Sequence, residues 1–143
     1  MGAMGPADTV TAFIHAIEAK DLDAAVGLVD DRIEYDNVPR AKVFGPDGIR
    51  SVLTPFLAGC RALEWVVHHQ VERVDGPGTG TVMNERTDRF EMGGRWIELP
   101  VAGLFTVADG KITLWRDYFD WAAVTGALVT GAGRALLSLV RRS

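Results

Sequence analysis

The chain is poor in the residues that mark several functional classes. It has a single cysteine, Cys60, which excludes an intrachain disulfide. Cys60 has no base close to it in sequence, so a buried and inert thiol is expected. Only three histidines are present. His68 and His69 are neighbours in a strand pattern, where alternation sends them to opposite faces and away from a shared metal. His15 falls in a helical stretch with no ligand partner nearby, so no metal site is expected. Positive charge is in deficit, at net −4 with a pI near 5.3, and nothing recommends a nucleic-acid partner. No basic, then apolar, leader opens the chain; no secretory signal is expected, and a reducing cytoplasm suits the cysteine usage. The longest uncharged stretch near the end, Trp121 to Gly133, falls short of the ~20 residues that a membrane helix needs. Gly76-Pro77-Gly78-Thr79-Gly80 lacks the G-x-G-x-x-G spacing and reads as a turn between strands, not a phosphate cradle.

What is present is an ordinary globular balance, 48% hydrophobic and 24% charged over 143 residues. That length makes one domain, taken as residues 6–143, with enough chain for a proper core. The opening Met1-Gly2-Ala3-Met4-Gly5 resembles a tag remnant and is set aside.

Val10, Phe13, Ile14 and Ile17 follow helical spacing behind a cap at Asp8 or Thr9. Leu22, Ala25, Val26 and Val29 predict a short second helix stopped near Asp30-Asp31. Ile33 to Val38 reads as a strand ending at Pro39. Gly45-Pro46-Asp47-Gly48 opens a third helix with Ile49, Val52, Leu53 and Phe56 on its buried side, and Pro55 predicts a kink or an early end. Four strands follow, over Ala62–Val74, Thr81–Phe90, Trp96–Val107 and Lys111–Phe119, separated by glycine-rich turns. A last helix is expected from Asp120 toward Arg142, with Arg134, Arg141 and Arg142 at a solvated end. Helices followed by an antiparallel meander predict an α+β domain with helices packed on one face of a curved sheet.

Charges interrupt the apolar strand faces. Alternation puts Arg86 and Asp88 on one face with Val82 and Phe90, and Asp117 with Trp115 and Phe119. Buried charges are costly unless paired. One guanidinium, with five donors in a planar fork, can hold two carboxylates, and proximity then favours one protonated and one ionised acid. Tyr35 and Asn37 share a strand face in the same i, i+2 manner. Each pair alone is equally the signature of a plain ion pair on a solvated sheet face, or, for Asn37, of a strand-end turn.

Together these motifs, Tyr35-x-Asn37, Asn84-Glu85-Arg86-Thr87-Asp88, Gly103-Leu104-Phe105 and Trp115-Arg116-Asp117-Tyr118-Phe119-Asp120, resemble the limonene-1,2-epoxide hydrolase family. The resemblance runs from Val10 to Val124. It implies the cone-shaped α+β fold of nuclear transport factor 2 and ketosteroid isomerase, with a curved, mostly antiparallel sheet, N-terminal helices and a C-terminal helix. It further implies Asp88 as general acid, Asp117 as general base, Arg86 as their bridge, and Tyr35, Asn37 and Asp117 as holders of the attacking water. Phe90, Leu99, Val101, Phe119 and Val124 match positions that line the family's pocket, and Arg116 alternates away as a structural residue. The implied reaction adds water to a hydrophobic epoxide without metal, nucleotide or flavin, in a homodimer. Rival readings are an isomerase or cyclase on the same fold, which has no need for the arginine bridge, and a non-catalytic binder of small hydrophobic ligands.

Overall fold

In a computed structural model of the chain, which describes residues 4–120, the first helical pattern forms α1 (Pro6–Glu18). Its buried face is Val10, Phe13, Ile14 and Ile17. The cap differs from expectation: Gly5 is the N-cap, and Asp8 sits one turn in, its Oδ2 accepting from the Gly5 N–H at 3.1 Å. Proline at the first helical position costs no hydrogen bond, so the helix starts there. A short α2 (Leu22–Val26) follows, capped by the Asp21 side chain. Val29 is not part of it. That residue opens β1 (Val29–Val38), buried and paired with Ile112, so the strand begins earlier than periodicity suggested.

A two-residue strand, β2 (Val43–Phe44), leads into α3 (Gly45–Gly59). Pro55 lies inside α3 without ending it, since Ile49, Leu53 and Leu57 continue the buried face to its last turn. The meander is β3 (Ala62–Gly76), β4 (Thr79–Met92), β5 (Arg95–Ala108) and β6 (Lys111–Phe119). Each of the first three strands extends one or more residues past its expected ends.

The six strands form one sheet in the order β2-β1-β6-β5-β4-β3. All neighbours are antiparallel except β1 and β6, which run parallel. The helices cover one face. Between them and the sheet lies an apolar core that includes Phe13, Ile33, Phe105 and Trp115. The rings of Phe13 and Trp115 meet edge to face at 5.1 Å. The other face carries charged and mixed residues, with Arg116 bonded to Asp36 at 2.9 Å and Glu34 at 3.2 Å. Arg116 is therefore structural, as alternation implied. The expected C-terminal helix and Val124 lie outside the described residues.

One irregularity changes which residues face inward. The β3–β4 register slips between Val67 and His69. Strict alternation would send His68 and His69 to opposite faces; the bulge leaves both exposed, and a His68 ring nitrogen lies 2.8 Å from the Thr87 hydroxyl. Beyond the bulge it is Gln70 that pairs with inward-facing Asn84.

Candidate active site

Several polar residues on the inner face lie on one line across the sheet. Asn37 pairs with Asp117, Asp117 with Gly103, Gly103 with Asn84, and Asn84 with Gln70. A row of this kind keeps neighbouring Cβ atoms about 5 Å apart. Short side chains in it can meet without bending the sheet.

Arg86 stands one inward step along β4 from Asn84 and reaches across Gly103. Its Nε donates to Asp88 Oδ1 at 2.7 Å and its Nη2 to Asp88 Oδ2 at 3.3 Å. The same Nη2 donates to Asp117 Oδ2 at 2.7 Å, and Nη1 to the Asn84 carbonyl oxygen at 3.1 Å. One guanidinium thus holds both carboxylates. All three charged residues are buried, with Arg86 1%, Asp88 5% and Asp117 1% exposed. Gly103 makes this reach feasible, because a Cβ there would fall 2.4 Å from Nη1 and 2.9 Å from the Asn84 oxygen.

Two tryptophans complete the setting. Trp115 donates its indole N–H to Asp117 Oδ1 at 2.9 Å, so both oxygens of Asp117 accept hydrogen bonds. The Trp65 ring lies under the Arg86 guanidinium at 4.9 Å, an attraction that strengthens away from water.

The electrostatics follow from burial. Loss of hydration pushes the Asp88 carboxyl up to about 6; Arg86 pulls it back and the Asp117 charge adds to the rise. Burial alone would lower the pKa of Arg86, but the two carboxylates more than reverse that, and the guanidinium stays charged. Burial, then the neighbouring Asp117, drives the Tyr35 hydroxyl well above its ordinary value. Tyr35 is accordingly a neutral phenol, packed on Trp115 at 4.0 Å between ring centroids.

A cavity of about 380 Å³ opens above this floor. Tyr35, Asn37, Asp88 and Asp117 line its polar end, and Phe90, Leu99 and Phe119 its walls. Val52, Leu53 and Phe56 of α3 close the opposite side, and Arg40 stands on its margin. Arg86 is too deep to touch the cavity. Val101, expected in the wall, is buried between its ladder partners Arg86 and Phe119 and lies outside the lining formed by the described residues. Among those residues, two buried side-chain polar atoms have no hydrogen-bond partner, Asn37 Oδ1 and Trp65 Nε1. Both residues line this cavity.

Sequence reasoning brought Arg86, Asp88, Asp117, Tyr35 and Asn37 forward, and they converge at one end of the cavity. Asn84 and Gly103 entered only as parts of quoted motifs, without a role, and Gln70, Trp65, the donor role of Trp115, and Arg40 were not anticipated. Asn84 carried a usable signal, since it precedes Arg86 by two residues and must share its face. The others depend on cross-strand register.

A family model for the limonene-1,2-epoxide hydrolase catalytic domain matches residues 4–129. Epoxide hydrolase EphG of Mycobacterium tuberculosis is 34% identical over 111 residues, which are 78% of this chain and 70% of that protein. A solved structure of an M. tuberculosis epoxide hydrolase of the same type superposes with a TM-score of 0.71 at 31% identity, covering 94% of both chains. A nuclear transport factor 2-like protein of unknown function from Cytophaga hutchinsonii superposes at 0.65 with 21% identity, over 87% of this chain and 99% of that one. The last likeness shows the fold alone. With the family model spanning most of the chain and a curated relative above 30% identity, this protein belongs to the limonene-1,2-epoxide hydrolase family.

Proposed function

We propose that the chain hydrolyses a hydrophobic epoxide to a vicinal diol in one step, with Asp88 as acid, Asp117 as base and Arg86 between them. The observation that carries this reading is a single buried guanidinium gripping two carboxylates at the floor of a mostly apolar cavity. Asp88, with its carboxyl raised to about 6, is the better proton donor. Asp117 accepts from two separate donors, Arg86 and Trp115, whereas both bonds to Asp88 come from Arg86 alone.

In the step, a water oxygen forms a bond to one oxirane carbon as that carbon's bond to the ring oxygen breaks. The Asp88 proton goes to the departing oxygen while Asp117 takes a proton from the water. Simultaneous transfer avoids a free alkoxide or an oxonium ion, and ring strain supplies much of the drive. The water is held by Asp117, the Tyr35 hydroxyl and the Asn37 carbonyl oxygen, a buried acceptor in need of a donor. Each turnover leaves the proton on Asp117, and exchange with bulk water resets the pair.

The cavity volume suits a terpene-sized or lipid-like epoxide, and its walls are mostly apolar, with Arg40 and the unpartnered Trp65 indole N–H as further polar groups on lining residues. The same reading includes a homodimer in the cytoplasm. Its contact would be the outer sheet face, where Val71, Met83 and Tyr118 are 68%, 47% and 44% exposed.

The test is a panel of epoxides, including limonene oxide, cyclohexene oxide and a larger sterol or fatty epoxide, assayed for diols without added cofactor. Asp88→Asn and Asp117→Asn should each lower turnover by roughly 10²–10⁴ and leave the fold intact. Near-wild-type diol formation by either variant would sink the assignment. Silence across the panel with tight binding of a hydrophobic ligand would favour a binder.

A further inference from the structure

We infer that Gln70 and Asn84 are positioning residues, which fix the guanidinium of Arg86 so that it holds both carboxylates at once. The inference rests on the proposed hydrolysis for its kinetic consequences, and on geometry for its substance. Neither residue touches the substrate cavity.

Arg86 uses Nε and Nη2 on the two acids. The remaining nitrogen of the fork, Nη1, donates to Asn84 and adds an anchor beyond the two acids. An amide is a suitable third acceptor, because it orients the fork without adding a negative charge. A third carboxylate would compete with Asp88 and Asp117 for the same cation.

An asparagine has two ends of nearly equal size, and only the carbonyl end can face a guanidinium. Turned over, it would set one donor against another. Gln70 reinforces the required orientation: its carbonyl oxygen accepts from the Asn84 NH2 at 3.2 Å, which leaves the Asn84 oxygen toward Nη1 at 3.1 Å. Gln70 stands at the β3 end of the row and lines a separate cavity of about 190 Å³ with Thr11, His15, Glu18 and others. It stands in register with Asn84 because of the β3 bulge. The open space over Gly103 is the last component, since the chain of contacts passes there.

Four proteins test this on the best epoxide of the panel: wild type, Gln70→Met, Gln70→Glu and Asn84→Leu. Gln70→Met keeps the size and loses the acceptor; kcat should fall about tenfold with KM unchanged. Gln70→Glu keeps an acceptor toward Asn84 and should stay within threefold of wild type. Asn84→Leu should lose about 100-fold in kcat, the scale of a ~1 Å misplacement. Its Asp88 carboxyl, followed by 13C NMR, should titrate at higher pH than in wild type, as Arg86 loosens. A purely structural role predicts equal effects for the two Gln70 variants and an unmoved Asp88 titration, and either result overturns the inference. Should Asn84→Leu not fold, the Gln70 pair decides alone. If the wild type hydrolyses no epoxide, the functional reading fails, while the NMR titration still judges the positioning.

Discussion

Asp88 ties the proposed chemistry to stability in a way that can be measured without substrate. Its carboxyl has a pKa of about 6 in the folded chain against 3.8 as a free side chain. The native state therefore binds the proton more tightly than the unfolded state. The stabilisation is complete below about pH 4 and is lost as pH rises through 6. Between pH 4.5 and 7.5 this single group should cost the wild type about 2 kcal/mol of folding stability. In Asp88→Asn the shape is retained and nothing titrates at that position, so this fall should vanish. Titrating groups remote from Asp88 are common to both proteins and cancel in the comparison. Urea unfolding followed by tryptophan fluorescence at pH 4.5, 6 and 7.5 provides the assay. With a slope near 2 kcal/mol per molar urea, the wild-type midpoint should drop by ~1 M relative to the variant. Parallel curves for the two proteins would show that the folded state does not hold the Asp88 proton, and the acid would have to be sought elsewhere.

The same protonation governs rate: kcat/KM for epoxide opening should decline about tenfold per unit above pH 6 to 7, and a flat profile to pH 9 would exclude Asp88 as proton donor. Gly103→Ala should displace Arg86 and Asn84, lowering turnover at least 100-fold and stability by about 1–3 kcal/mol in urea titrations. Trp115→Phe removes the donor to Asp117 Oδ1 and should lower kcat several-fold at unchanged KM, with about 1–2 kcal/mol lost in stability. For assembly, sedimentation velocity should report a dimer for the wild type and a monomer for a Val71→Lys, Met83→Lys double variant.

Much of this site is legible in one dimension because strand alternation is a local rule. Arg86 and Asp88 share a face whatever the rest of the chain does, and Arg116 must oppose Asp117 for the same reason. The helical face of α1 and the turns of the meander are equally local. What escapes is anything set by register between strands. A single bulge before His69 turns that residue outward and brings Gln70 to Asn84, and no residue type announces it. Gly103 is silent in another sense: its contribution is an absent side chain, visible only when Arg86 is seen crossing it. The boundary errors have a common origin too. Val29 fits a helical period with Leu22 and Val26, yet its pairing with Ile112, far along the chain, wins over the local pattern.

The parallel contact of β1 with β6 also bears on how the site comes into being during folding. Strands β3 to β6 are joined by tight turns and can zip together through short loop closures. That unit already contains Asp88, Arg86 and Asp117. Tyr35 and Asn37 arrive only when β1 docks beside Trp115 and Asp117, a closure over some eighty residues. The proposed grip on water thus depends on a strand pairing of high sequence separation. A chain arrested before that event would hold Asp88 and Asp117 in place without Tyr35 and Asn37, the residues proposed to orient the nucleophile.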